Sequence, residues 1–154
     1  MSPIQTRKRD LRTSIDLPTA DLEAILARAK ALKAKLVAGE RPTVLAGRSL
    51  AMIFEKPSLR TRCTFEIGMV QLGGHAIYLT PQEIGLGKRE SIHDIARNLE
   101  RWFDIVMART FAQATIDELC RFCRIPFVNA HSDADHPCQA LADFMTLEER
   151  IGSL

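Results

Sequence analysis

The sequence has 154 residues, enough for one domain with its own hydrophobic core. Hydrophobic residues make up 46% and charged residues 26%, as in an ordinary soluble globular protein. The net charge of +2 is small and the basic residues are mixed with acidic ones, so we expect no nucleic-acid partner. Every apolar run is shorter than the roughly 20 residues of a membrane-spanning helix. Residues 1–16 lack the apolar stretch of a secretory signal. We therefore expect no membrane partner.

The sequence contains four cysteines, at positions Cys63, Cys120, Cys123 and Cys138. Cys120 and Cys123 form a C-x-x-C pair, a spacing that also occurs in zinc and redox sites. This pair lies inside a helical pattern, and no second pair with zinc-like spacing follows it. We interpret it as two buried or half-buried thiols. The sequence predicts no metal and no cofactor, and a reducing cytoplasm fits this cysteine usage best.

The N-terminal part predicts one amphipathic helix. Residues 1–20 are polar and basic and are expected to be loosely held up to Leu11, with Asp16 or Thr19 as the candidate helix cap. From Asp21 to Val37 apolar residues recur every three or four positions, which predicts a helix that packs on the domain. These positions are Leu22, Ile25, Leu26, Ala29, Leu32 and Leu36.

The remainder alternates between strands and helices. Apolar runs predict four strands, at Ser49–Glu55, His75–Leu79, Asp104–Ala108 and Pro126–Asn129. Helical patterns follow the strands. One covers Leu59–Leu72, one runs from a cap at Ser91 to Trp102, Asp117–Cys123 forms part of a short helix, and the last covers Pro137–Glu149. Such alternation predicts a single α/β domain with a four-stranded parallel sheet and helices on both faces.

The junction FEKPSLRTRCTFE, residues 54–66, joins the first predicted strand to a helix. A helix start presents free backbone N–H groups and a partial positive charge. Ser58 and Thr61 add hydroxyl donors, and Arg60 and Arg62 add guanidinium groups that match phosphate oxygens. The junction therefore predicts a phosphate site. The alternative is an N-capped helix with two solvated arginines.

Further donors follow the other predicted strands. Arg109 directly follows the third strand, and the stretch His131 to Gln139 follows the fourth. Because ligands bind beyond the carboxyl ends of parallel strands, we expect these residues and the phosphate junction to converge on one anion-binding crevice. The alternatives are an exposed loop cation for Arg109, and a plain helix cap for His136 and Gln139.

Four segments together resemble one enzyme family: FEKPSLRTR, LGKRESIHDIARNL, MARTF and HPCQALADFMTLEE. They are similar to the carbamoyl-phosphate-binding half of ornithine carbamoyltransferases, from about Leu17 to Leu147. The S-x-R-T-R turn is shared by all carbamoyltransferases, whereas FEKPS and HPCQ favour the ornithine enzymes.

The resemblance implies a role for each matching residue. The turn Ser58, Leu59, Arg60 and Thr61 would hold the phosphate of carbamoyl phosphate, and Arg62 would be structural. Arg109 and His136 would bind the carbonyl oxygen, and Gln139 would contact the carbamoyl amide. Arg60, Arg109 and His136 would thus be the catalytic residues.

One position departs from the family pattern. Many relatives carry Gln or His at the position of Gly85, where the side chain reaches a neighbouring subunit's ligand. Gly85 has no side chain to do so. Lys88 or Arg89 is the candidate replacement.

The family implies transfer of a carbamoyl group from carbamoyl phosphate to the δ-amine of L-ornithine, giving citrulline and phosphate in arginine biosynthesis. It also implies a homotrimer and a second, amino-acid-binding domain, whose motifs this sequence does not contain. We therefore interpret residues 1–154 as the carbamoyl-phosphate-binding domain of a longer protein, with little or no activity by itself. Two alternatives remain open. One is a carbamoyltransferase for N-acylornithine, putrescine or aspartate, and the other is a non-catalytic anion-binding or assembly domain.

Overall fold

A computed structural model describes residues 9–87 and 89–152. This part of the chain forms six helices and one four-stranded sheet. The helices are α1 (Thr19–Val37), α2 (Leu59–Gln71), α3 (Pro81–Ile84), α4 (Ile92–Trp102), α5 (Gln113–Phe122) and α6 (Pro137–Ile151). The strands are β1 (Ser49–Phe54), β2 (His75–Leu79), β3 (Ile105–Arg109) and β4 (Phe127–His131). The predicted α/β class is confirmed.

The sheet is parallel throughout, with the strand order β2-β1-β3-β4. Strand β1 lies inside the sheet and all of its residues are buried, as its continuous apolar run predicts. The chain passes from β1 to β2 on one side, and then returns to β3 on the other side. The direction of winding therefore reverses between β1 and β3. A crevice at the carboxyl ends of these two strands is where open parallel sheets bind ligands.

Helices cover both faces of the sheet, as predicted. On one face, Ala51 and Ile53 of β1 pack in a cluster with residues of α4 and α5. On the other face, Met52 and Phe54 pack with Met69 of α2. The two faces take alternate residues of the same strand because successive side chains of a strand point in opposite directions.

The C-x-x-C pair lies in the first of these clusters. Cys120 is 4% exposed and Cys123 is 3% exposed, among apolar side chains of α4, α5 and the sheet. The interpretation of two buried thiols is therefore confirmed.

The N-terminal segment is bonded to the far edge of the sheet. The Leu11 N–H donates to the Phe127 carbonyl at 2.8 Å, and the Asn129 N–H donates to the Leu11 carbonyl at 2.8 Å. Residues 1–8, which were expected to be loosely held, lie outside the described residues. Helix α1 then lies beside α6, where Lys30 pairs with Glu148 at 2.6 Å.

The predicted cap of α1 was wrong. Pro18 occupies the N-cap position and no side chain caps the helix. Thr19 is already helical, and the Asp16 carboxylate instead accepts the Thr13 N–H at 3.1 Å. The fixed φ of proline is compatible with a position just before a helix, and the Pro18 carbonyl accepts the Asp21 N–H at 2.9 Å.

The structure also differs from the predictions by one additional short helix and by the ends of several elements. The short helix α3 lies in a predicted loop, where Thr80 and Glu83 cap each other: Thr80 N–H donates to the carboxylate at 2.9 Å and Glu83 N–H to the hydroxyl at 3.2 Å. Helix α5, of which Asp117–Cys123 was predicted to be a part, begins at Gln113, whose N–H donates to Asp133 at 2.7 Å. Strand β4 continues to His131 rather than ending at Asn129.

Within the described ranges, every helix is too short or too polar to cross a lipid bilayer.

Candidate anion-binding site

A hollow of about 590 Å³ opens at the carboxyl ends of β1, β3 and β4. It lies between the start of α2, the end of β3, the end of β4 and the start of α6. The residues that line it are Ser58, Arg60, Thr61, Thr64, Phe65, Arg109, His131, His136, Cys138, Gln139 and Ala142. The structure thus brings Arg60, Arg109 and His136 together around one space. We call it the anion hollow.

The start of α2 forms one wall. Ser58 is the N-cap residue, and its hydroxyl oxygen accepts the Thr61 N–H at 3.3 Å. The same hydroxyl donates to Thr61 Oγ1 at 3.0 Å. This cap holds Arg60 in the first turn of the helix, where backbone N–H groups have no carbonyl partner within the helix. The Leu59 side chain is 77% exposed and does not line the hollow, so only its backbone N–H is suited to a ligand.

Arg109 reaches the hollow from the end of β3. Its Nη1 donates to Thr61 Oγ1 at 3.4 Å, and its carbonyl accepts the Glu55 N–H at 2.9 Å. Its Nε is buried and has no hydrogen-bond partner in the described chain. Burial lowers the pKa of Arg109, and the charge of Arg60 lowers it further. Arg109 is therefore a half-buried cation beside another cation, rather than an exposed loop residue.

His136 and Gln139 stand at the start of α6, as predicted. His136 is the N-cap residue and Pro137 follows at the first helical position, but the His136 side chain makes no capping bond. The plain-cap alternative therefore does not describe this side chain. Its Nδ1 is buried and has no partner within the described residues. Burial lowers the pKa of His136, and Arg109 adds to this effect, against the opposing charges of Asp135 and Asp143.

The loop between β4 and α6 is held by a polar network around Asn129, which is fully buried. The Asn129 side-chain amide donates to the Arg12 carbonyl at 2.7 Å, and its oxygen accepts the His131 N–H at 2.9 Å. Asp135 accepts the His136 N–H at 2.6 Å and also the hydroxyl of Ser14 at 3.0 Å. Burial alone would raise the pKa of Asp135, but these hydrogen bonds outweigh it and hold that pKa below its ordinary value.

His131 begins the stretch that was expected to reach this crevice, and it lines the hollow, although no individual role was predicted for it. Its ring centroid lies 5.1 Å from that of His136, in an edge-on arrangement. The pairing of β3 with β4 shifts register between Ala108 and Arg109, so that Arg109 pairs with His131. The shift brings His131 beside Arg109, and a linear sequence carries no clear sign of it.

Cys138 lies in the same stretch and also lines the hollow. Burial raises the pKa of its thiol to about 11, so the group is protonated at neutral pH. A protonated thiol is a poor nucleophile, and the arrangement does not favour covalent catalysis by Cys138.

Three other sequence expectations concern residues outside the hollow. Arg62 pairs with Glu66 at 3.3 Å and its guanidinium lies 4.1 Å from the Tyr78 ring centroid, an arrangement suited to a structural residue. Gly85 has φ of +54°, in the region that favours glycine, and it does not line the hollow. Arg89 is exposed and is absent from the lining, whereas Lys88 lies outside the described residues.

The chemistry of the hollow favours an anion. Its described lining carries two guanidinium groups, two imidazoles and several hydroxyls, and none of these residues is acidic. Cations held close together without counter-charges attract an anion, and guanidinium groups are matched to phosphate oxygens. Across residues 9–87 and 89–152, no group of three or more His, Cys, Asp or Glu side chains is arranged to hold a metal ion.

Comparison with known proteins agrees with this chemistry. The sequence model of the family "Aspartate/ornithine carbamoyltransferase, carbamoyl-P binding domain" matches residues 9–149. The chain is 51% identical over 144 residues to an ornithine carbamoyltransferase of Deinococcus radiodurans, and the match covers 94% of this chain and 46% of the relative. The chain spans about half the length of the curated relatives that it matches.

Solved structures show the same likeness. The ornithine carbamoyltransferase of Pyrococcus furiosus superposes with a TM-score of 0.92 at 43% identity, over 94% of this chain and 46% of that one. An acetylornithine transcarbamylase complexed with acetylcitrulline superposes with a TM-score of 0.85 at 30% identity, over 94% of this chain and 48% of that one. The fold, the hollow and the family match agree, and the chain belongs to the carbamoyl-phosphate-binding domain family of the aspartate and ornithine carbamoyltransferases.

Proposed function

We propose that this chain supplies the carbamoyl-phosphate half of an ornithine carbamoyltransferase. The observation that carries the proposal is the shared hollow, in which Arg60, Arg109 and His136 face one space at the start of α2. In the reaction, the δ-amine of ornithine attacks the carbamoyl carbon, and citrulline and inorganic phosphate are formed.

The phosphate group is assigned to the start of α2. Ser58, Arg60 and Thr61 offer hydroxyl, guanidinium and backbone donors there, and the backbone N–H of Leu59 lies in the same turn. The positive end of a helix favours a negative group, and phosphate is a frequent ligand at such ends. Arg60 would also neutralise the charge that develops as phosphate leaves.

The carbonyl oxygen of the carbamoyl group is assigned to Arg109 and His136. Attack by an amine turns this oxygen into an oxyanion, which preorganised donors stabilise, and one such donor typically contributes about 3 kcal/mol. The buried Nε of Arg109 and the buried Nδ1 of His136 have no partner in the described chain, so a ligand oxygen would satisfy them. The protein need not supply a nucleophile, in keeping with the protonated thiol of Cys138.

Gln139 is suited to the carbamoyl amide because of its neighbour Asp143. The Gln139 side-chain Nε2 donates to Asp143 Oδ1 at 2.8 Å. An ionised carboxylate only accepts hydrogen bonds, so this contact fixes which end of the Gln139 amide faces Asp143. The other end, Oε1, is an acceptor and is left to receive an N–H of the carbamoyl group.

Ornithine is the proposed acceptor because the ornithine enzymes are the better match. Relatives of that name are 51% and 48% identical to this chain, against 30% for the acetylornithine enzyme. We further propose that the amino-acid-binding domain lies outside this sequence, and that the full protein acts in the cytoplasm, in arginine biosynthesis.

A homotrimer is the proposed assembly. Strand β2 lies at an edge of the sheet, and its residue Ile77 is 46% exposed. Ile67 and Val70 of α2 are 52% and 60% exposed. Exposed apolar side chains beside a sheet edge are suited to contact with a second copy of the chain. Sedimentation of the full protein would show the mass of three copies if this proposal is right.

The experiment that tests the function is a citrulline assay with carbamoyl phosphate and ornithine. It compares this chain with a longer protein that includes the second domain. We expect turnover by the longer protein and little or none by this chain, although both bind carbamoyl phosphate. N-acetylornithine, putrescine and aspartate serve as competing acceptors. If the longer protein carbamoylates neither ornithine nor any of these three acceptors, the result would favour a non-catalytic anion-binding domain.

A further inference from the structure

His131 occupies the wall of the anion hollow between Arg109 and His136. The backbone fixes its position on both sides: its N–H donates to the Asn129 side chain at 2.9 Å, and its carbonyl accepts the Thr110 N–H at 2.9 Å. Asn129 and Thr110 are both fully buried. The ring therefore extends from a rigid strand end, and not from a mobile loop.

The polar atoms of the ring point to a ligand. His131 Nδ1 is buried and has no hydrogen-bond partner within the described residues, as is also true of His136 Nδ1 and Arg109 Nε. A buried polar group without a partner destabilises the folded protein, because it has lost its hydrogen bonds to water. Three such atoms around one hollow indicate that all three residues are arranged for the same ligand.

The charges that face His131 come from three other elements. They are Arg109 at the end of β3, Lys56 in the turn after β1, and His136 at the start of α6. Burial lowers the pKa of His131, and each of these groups lowers it further. The nearby carboxylates of Asp135 and Asp143 raise the pKa of His136. A doubly charged anion in the hollow would reverse this balance, since an opposite charge nearby favours the protonated ring.

We propose that His131 is a second imidazole of the anion hollow, neutral when the hollow holds no anion, which takes up a proton from solvent as a dianion enters. The charged ring then donates to the anion alongside His136. The consequence is that the affinity for a dianion depends on pH through two histidines rather than one. This proposal rests on the anion-binding function given above and adds a residue that its assignment did not include.

The test uses sulfate, which stays a dianion over the whole pH range of interest and does not itself titrate. The four histidines of the sequence, His75, His93, His131 and His136, can be followed by ring ¹⁵N resonances. We expect saturating sulfate to raise the proton affinity of the His131 and His136 rings about tenfold or more. His75 and His93 are exposed and lie outside the hollow, so addition of sulfate should leave their ring resonances unchanged.

Calorimetry with His131→Asn gives a second measurement, with His75→Asn as the matched control. Titration in two buffers of different ionisation enthalpy counts the protons taken up per sulfate. We expect His131→Asn to take up fewer protons, and to bind sulfate about 3- to 10-fold more weakly near pH 6 but about equally near pH 8.5. His75→Asn should behave as the wild type does.

The possible outcomes distinguish a failure of the His131 proposal from a failure of the proposed anion-binding function. If sulfate shifts His136 but leaves the His131 titration unchanged, the His131 proposal is overturned and the anion hollow stands. If sulfate shifts neither ring and no binding heat is seen, the anion-binding function fails and the His131 proposal fails with it.

Discussion

Arg109 and Thr61 are 48 positions apart in the chain, and they meet across the anion hollow through a hydrogen bond from Nη1 to Oγ1 of 3.4 Å. Thr61 also receives a hydrogen bond from Ser58. One threonine hydroxyl thus links the start of α2 to the end of β3. Because β1 and β3 are neighbours in the sheet, the two chain segments that follow them are held in a fixed relation.

The role of Arg109 can be tested against Arg62. Arg109→Ala removes a half-buried guanidinium from the hollow, and a hydrogen bond to a charged group contributes about 1.5–3 kcal/mol. We expect loss of measurable carbamoyl-phosphate binding by calorimetry. Arg62→Ala removes the same charge from a residue that pairs with Glu66, so binding should stay within about twofold. Equal affinity in Arg109→Ala and the wild type would reject the assignment.

Alanine substitutions at two helix caps distinguish an effect on phosphate binding from an effect on stability. Ser58 accepts the Thr61 N–H at 3.3 Å, and Ser91 accepts the Asp94 N–H at 3.1 Å, so each caps a helix. Substituting either serine by alanine should lower the free energy of unfolding by about 1 kcal/mol. Only Ser58 lines the hollow. We expect Ser58→Ala alone to weaken phosphate binding, by about tenfold. The measurements are urea unfolding and calorimetry, and equal phosphate affinity in the two variants would contradict the account.

The sequence predicted most of this fold because its signals are local. The buried run of β1, the cap at Ser58 and the proline that starts α6 each need only a few neighbouring residues to be recognised. The same signals placed Arg60, Arg109 and His136 at the ends of their elements. The rule for parallel sheets then brought them to one edge.

The features that the sequence did not predict depend on distant contacts. Helix α5 begins at Gln113 because Asp133, from another loop, accepts its N–H. The placement of His131 directly beside Arg109 results from a register shift between two strands, and its backbone is held by the buried Asn129. The short helix α3 does carry a local signal, the Thr80 and Glu83 pair, but a single turn has too few residues to show a helical period.

The stability of the protein should depend on pH through His131 and His136. Both have a folded-state pKa below the ordinary value of 6.5, because of burial and of neighbouring cations. Below about pH 6.5 the unfolded chain therefore binds more protons than the folded one, and the free energy of unfolding decreases as the pH falls. We expect a lower urea midpoint near pH 5.5 than near pH 7.5, where carboxylates stay ionised.

Sulfate and a histidine variant check the cause of this dependence. Sulfate should raise the urea midpoint more at the lower pH, since it stabilises the protonated rings. His136→Asn should lose less stability than the wild type over the same interval. A midpoint that does not change between the two pH values, or that rises at low pH, would show that the histidines are not held in the neutral form.

The orientation of Gln139 can be tested by comparing carbamoyl phosphate with acetyl phosphate, which lacks the amide. Gln139 Nε2 is bound to Asp143 at 2.8 Å, which leaves Oε1 for the amide N–H. We expect the wild type to bind carbamoyl phosphate more tightly, by a few-fold to tenfold. Gln139→Leu should remove this preference while phosphate affinity changes little. A preference that survives in Gln139→Leu would assign the recognition of the amide to another group.

The most direct test is a crystal structure of this chain bound to carbamoyl phosphate or to its stable phosphonate analogue. The account predicts that the phosphorus-bound oxygens contact Ser58, Arg60 and Thr61 at the start of α2. It also predicts that the carbonyl oxygen lies between Arg109 and His136. A ligand bound elsewhere, or one in the hollow that contacts neither Arg60 nor Arg109, would contradict it.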